Sequence, residues 1–183
     1  MLVSIIGSRK VNDDSYLYAT IRTTKHLLSA GANIGTGGAR EGIDREVADC
    51  WLLYHKYNSN QINELHLFLP FENYGYFPYI WQEACKIGVQ HLIHVHIPEQ
   101  KATKKQLFFL RNKMLNELSD YVIIMHARLD SGTAHQLHFD CRKIMIFYKI
   151  KRIESELYQK FIDQGAVPFV LPIHVVQNII HNP

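Results

Sequence analysis

Short apolar runs alternate along this chain with longer stretches of helical periodicity, and that alternation restricts the fold more than any other feature. Residues 2–6 predict a strand ending at Gly7, and residues 15–30 a helix that Asp13, Asp14 or Ser15 can cap. Residues 32–34 predict a brief second strand, 35–38 a glycine turn, and 39–57 a helix. A third strand over 64–69 ends at Pro70 and leads into an aromatic loop over 71–77. Residues 78–87 read as a helix, 91–97 as a weak strand, 101–118 as a helix and 121–125 as a buried strand. The pattern closes with a helix over 132–142, a strand over 144–147, a helix over 153–164 stopped by Gly165, and a strand over 167–171.

Strands separated by helices imply βαβ units, hence an α/β fold of the Rossmann-like, doubly wound kind: a mostly parallel sheet with helices on both faces. Such sheets bind ligands outside the carboxyl ends of their strands. A length of 183 residues suits one domain spanning 1–183, and 47% hydrophobic with 20% charged residues is ordinary for a globular protein. The net charge of +3 favours a phosphorylated ligand more than a wrapped nucleic acid. Cys50, Cys85 and Cys141 are odd in number and far apart, which fits reduced thiols in a cytoplasmic protein. No basic n-region precedes the first apolar run, and no run is long enough to span a membrane.

Four segments at expected strand ends or on a neighbouring helix carry the chemistry. Gly7-Ser8-Arg9-Lys10 follows the first strand; glycine lets the backbone approach a ligand, while Ser8 and Arg9 offer donors to phosphate. Thr36-Gly37-Gly38-Ala39-Arg40 precedes a helix, where free amides and the helix N-terminus attract an anion. Its spacing is neither a dinucleotide fingerprint nor a P-loop. Arg111-Asn112 lies on the helix before the buried strand, placed for a phosphate clamp. Asp130-Ser131-Gly132-Thr133 follows that strand, where Ser131 or Thr133 can also cap the next helix.

Among the eleven histidines, His91, His94 and His96 cluster, and His135 and His138 are one helical turn apart. No H-E-x-x-H motif or Cys/His grid is present, so neither a metal nor a cofactor is expected. His135, just after Gly132-Thr133, is placed to donate a proton. The aromatic loop offers stacking surfaces for a base, or for the sheet or a partner subunit.

Taken in order, Gly7-Ser8-Arg9, then Gly37-Gly38-Ala39-Arg40 with Gly42 and Asp44, then Arg111-Asn112 with Met114-Leu115, then Gly132-Thr133, resemble the SLOG superfamily of Rossmann-like proteins. That group contains the DNA-processing protein A family, the LOG phosphoribohydrolases and the YspA-type proteins, and the YspA pattern is the most similar. The resemblance covers about residues 1–148; residues 149–183 form a helix-and-strand extension outside it. Glu41 is an extra residue in the second motif, and Gln136 stands where LOG hydrolases resemble one another in a catalytic Glu. Glutamine neither takes a proton nor carries charge.

The resemblance implies a protein that senses or sequesters a nucleotide or nucleotide-derived phosphorylated ligand, with Gly7, Ser8, Arg9, Thr36, Gly37, Gly38, Ala39, Arg111, Asn112, Ser131, Gly132 and Thr133 around it. The alternative is a phosphoribohydrolase cleaving the N-glycosidic bond of a nucleoside monophosphate, with Asp44, Asp130 or His135 as catalytic candidates. A minor alternative, implied by the DNA-processing branch, is a module that binds single-stranded DNA and a recombinase. Family members often form homo-oligomers, which the resemblance extends to this chain.

Overall fold

The computed structural model describes residues 1–99, 101–128, 131–147 and 155–170. Its elements run β1 (Leu2–Gly7), α1 (Asp14–Ser29), β2 (Asn33–Thr36), α2 (Ile43–Tyr57), β3 (Leu65–Phe68), α3 (Phe77–Lys86), β4 (Ile93–His96), α4 (Lys104–Leu118), β5 (Tyr121–His126), β6 (Ile144–Phe147), α5 (Ser155–Asp163) and β7 (Val167–Phe169). Short 3-10 segments occupy Gln90–Leu92, Gly132–His138 and Cys141–Lys143.

All seven strands are parallel, in the order β4-β3-β2-β1-β5-β6-β7. This is the expected Rossmann-like sheet. The chain winds outward from β1 to β4, then returns to lay β5 against the other side of β1. The connections leaving β1 and β5 therefore diverge, and a crevice opens where the winding reverses. Ser8 N donates to His126 O at 2.9 Å and ties the two strand ends together below that crevice.

Strand periodicity divides the core into two layers. Val3, Ile5, Ile123, Met125 and Met145 face one layer, where they meet Leu27 of α1, Trp51 of α2 and Ile80 of α3. Ile6, Val122, Ile124, Ile144 and Ile146 face the other, against Leu115 of α4 and Phe161 of α5. With both faces covered, the central strands read as continuous apolar runs. β7 pairs with β6, so the part of the extension that is described completes the sheet instead of covering the crevice. The predicted residue Leu171 lies outside the described residues, as do Asp130 and the start of the predicted 153–164 helix.

Three helix boundaries differ from the periodicity. The helix expected from Ala39 begins at Ile43, because Gly42 has φ +73° and its missing Cβ leaves room for the carbonyls of Ser8 and Arg9. The helix expected from Lys101 begins at Lys104. Thr103 forms a capping box there with Gln106, whose side chain accepts from Thr103 N at 2.9 Å. The expected helix over 132–142 is instead two 3-10 segments broken at Phe139, with Asp140 accepting from Arg142 N to start the second. Cys50, Cys85 and Cys141 are free. Among the described residues, no helix is long and apolar enough to cross a membrane.

Candidate functional site

The crevice at the reversal point is a cleft of about 660 Å³. Gly7, Ser8 and Arg9 line it from the end of β1; Arg111 and Asn112 from α4; Ser131, Gly132, Thr133 and His135 from the segment after β5. Three of the four sequence segments thus meet in this one cleft. Asn112 makes one junction directly, donating through Nδ2 to Gly132 O at 2.9 Å.

The second glycine segment is placed differently. Thr36 is fully buried inside β2, and Gly37, Gly38 and Ala39 back the cleft without lining it. The anion that this loop and the start of α2 attract is the chain's own Asp44. Ala39 N points at Asp44 Oδ2 at 3.4 Å, and the Gly7 amide also favours its charged form. A carboxylate within the first turn of a helix is electrostatically favoured, so this cradle is already satisfied. Asp44 reaches the cleft wall, but burial pushes its pKa up; Arg111, Ala39, Arg9 and Gly7 oppose that rise without cancelling it. Asp44 Oδ1 and Arg111 Nε are buried with no hydrogen-bond partner. Burial likewise lowers the Arg111 pKa, against the pull of Asp44.

Sequence reasoning missed much of the positive charge. Lys104, Lys105 and Arg128 also line the cleft, giving with Arg9, Lys10 and Arg111 six cationic side chains against the one carboxylate of Asp44 among the described residues. A signal was available: α4 carries two lysines and no acid in its first turn, opposing the preference set by the helix dipole. Like charges gathered at a positive helix end repel one another and the helix dipole.

The aromatic loop over 71–77 packs against α4. Tyr74 and Phe108 meet edge to face at 5.4 Å between centroids. Arg9 lies 5.5 Å from the Phe108 centroid and donates through Nη2 to the Tyr74 hydroxyl at 2.5 Å. The loop is tied to the second glycine segment by Tyr76 N, which donates to Gly38 O at 2.9 Å, and by Arg40 Nε, which donates to Gly75 O at 2.8 Å. Gly75, at φ +66°, allows this approach, since a Cβ there would strike the Gly38 carbonyl.

Burial first, then His138, Lys105 and Arg111, lower the pKa of His135, which disfavours the protonated form that proton donation would use. Gln136 is fully buried between α4 and the 3-10 segment: Asn116 Nδ2 donates to its Oε1 at 3.3 Å, and its Nε2 donates to Asn112 O at 3.4 Å. It does not line the cleft. Ser131 does not cap its helix; its Oγ donates to Arg128 O at 2.7 Å.

The model of one family, DNA recombination-mediator protein A, matches residues 1–179. Among solved structures, the chain is similar to DNA processing protein A from Helicobacter pylori, described with its single-stranded DNA binding mode. The TM-score is 0.72 at 22% identity, covering 100% of this chain and 81% of that one. Similarity to DNA processing protein A from Streptococcus pneumoniae has a TM-score of 0.69 at 17% identity, covering 98% and 60%. A molybdenum cofactor binding protein from Rippkaea orientalis follows at 0.66 and 14%, covering 98% and 96%. No curated protein matches the sequence.

Proposed function

Because this chain belongs to the DNA recombination-mediator protein A family, within the SLOG-type Rossmann-like proteins, we propose that it binds single-stranded DNA along the cleft between β1 and β5. The observation that carries this reading is the charge of the cleft, six cations to one carboxylate among the described residues. That exceeds what one or two phosphates of a mononucleotide call for and suits a run of them. A second depression of about 560 Å³ adjoins the cleft, sharing Lys105 and His135 and adding Lys101 and Phe109. Side by side, the two depressions offer room for more than one nucleotide. Phosphates lie against Arg9, Lys105 and Arg111, and a base stacks on Tyr74 or Phe108, as single-strand binders combine cationic grooves with aromatic platforms.

The test is fluorescence anisotropy of a labelled oligothymidylate across a salt series. Binding whose log affinity falls linearly with log salt, by about 0.7 per phosphate contact, is expected. No binding, or binding indifferent to salt, overturns the reading.

A second reading, a nucleotide-derived small molecule held for sensing or sequestration, is favoured by the small or amide side chains of Gly7, Ser8 and Asn112 in the cleft lining. It predicts that mononucleotides or ADP-ribose raise the melting temperature where oligothymidylate does not. Chromatography of the same mixtures for released base tests the phosphoribohydrolase alternative, with Asp44 as its catalytic candidate.

A further inference from the structure

Away from the cleft, β3 and β4 bring Glu64, His66 and His94 together at the edge of the sheet. His66 and His94 are register partners in the β3–β4 ladder, and Glu64 immediately precedes β3. From these positions we infer a binding site for a divalent transition ion of the zinc class, held by His66 Nε2, His94 Nε2 and a Glu64 carboxylate oxygen.

His66 Nε2 lies 3.1 Å from Glu64 Oε2, and His94 Nε2 lies 3.2 Å from Glu64 Oε1. One ligand atom from each residue lies within 4.8 Å of the others. Zinc bonds of 2.0–2.1 Å in tetrahedral geometry set neighbouring ligands about 3.3 Å apart. Each imidazole already stands about that far from one oxygen of the same carboxylate, Oε2 for His66 and Oε1 for His94, so Glu64 sits between the two rings. Two imidazoles and one carboxylate suit zinc, cobalt, nickel or copper; magnesium and calcium prefer all-oxygen sites.

The supporting groups are also in place. Asn33 Nδ2 donates to Glu64 Oε2 at 3.0 Å and orients the carboxylate. His66 Nδ1 lies 2.9 Å from His96 Nε2. When His66 Nε2 takes the metal, the ring proton moves to Nδ1 and His96 accepts the hydrogen bond, which fixes the ring's tautomer and direction. Glu64 and His94 are partly open to solvent, so water completes the coordination. The ion would clip β4, which among the described residues pairs only with β3, to the rest of the sheet. In sequence, the His91, His94 and His96 cluster pointed near this site, but its carboxylate and its second ligand come from another strand.

Calorimetric titration of the full chain with zinc chloride, alongside cobalt(II) absorption, tests the site. One zinc per chain is expected, with the intense visible bands of four-coordinate cobalt and a raised melting temperature. His94→Ala, a change at a partly exposed side chain, is expected to abolish the cobalt bands and weaken zinc binding at least tenfold. His96→Gln, which alters only the positioning partner, is expected to weaken it roughly tenfold. Oligothymidylate affinity of His94→Ala is expected to match wild type, which separates this inference from the reading of the cleft. A wild-type chain that binds no zinc, or stoichiometric binding and cobalt bands that survive His94→Ala, would overturn it.

Discussion

The guanidinium of Arg111 fills the space that a Cβ on Gly37 would occupy, and Asp44 Oδ2 lies 2.5 Å from the same point. Gly37 is therefore bare because an arginine from α4 lies across it. Gly37→Ala is expected to displace Arg111 into the cleft and destabilise the fold by about 1–3 kcal/mol, the usual cost of overpacking. Oligothymidylate affinity should fall with it. Denaturant unfolding and anisotropy on the same variant check both effects; unchanged stability would show that Arg111 moves aside freely.

Asp44 carries the opposite expectation. Its folded-state pKa is raised, by burial above all, so the stability it contributes is fully present below the ordinary Asp pKa of about 3.9 and is lost as pH rises through the raised value. Above that raised value the charged carboxylate costs stability even with Arg111 beside it. Asp44→Asn is expected to melt higher than wild type at neutral pH, with the difference vanishing below about pH 4. Removing the Asp44 carboxylate from the cleft wall should also tighten oligothymidylate binding, by roughly 1 kcal/mol. Melting curves across pH decide the first part; a neutral-pH loss of stability would contradict it.

Arg9 and Phe108 touch each other but serve the ligand differently. Arg9→Ala is expected to lower the salt slope of oligonucleotide binding by about 0.7, one phosphate contact on a single strand. Phe108→Ala should leave the slope unchanged and cost about 1–3 kcal/mol, the range for one stacked base. Parallel salt titrations distinguish them, and identical slopes for wild type and Arg9→Ala would remove Arg9 from the phosphate path.

Gln136→Glu restores the residue type expected from the LOG resemblance, yet it should not create a hydrolase. The new carboxylate would replace an Nε2 donor that faces Asn112 O, in a fully buried site. A buried donor replaced by charge costs more than the 1–3 kcal/mol of an unsatisfied neutral group. Marked destabilisation at neutral pH, relieved on acidification and without base release from nucleoside monophosphates, is the expected result. Base release by a folded variant would refute this account of position 136.

The strands, the helices of the first half and the identity of three cleft segments were legible in the sequence, for reasons local to each. Leu2–Gly7, but for Ser4, and residues 121–125 are apolar because both faces of a central parallel strand are covered. Gly7-Ser8-Arg9 and Ser131-Gly132-Thr133 stand where strands end, which is where such sheets bind. Tertiary structure decided the rest, because it depends on groups distant in sequence meeting in space. The amides of the second glycine segment looked open to phosphate until Asp44 was found against Ala39. Gln136 looked like an altered catalytic position, but Asn112 and Asn116 of α4 hold it in a buried amide network. The pairing of Glu64 and His66 with His94 arises only when β4 aligns with β3, a register that the periodicity of either strand leaves unspecified.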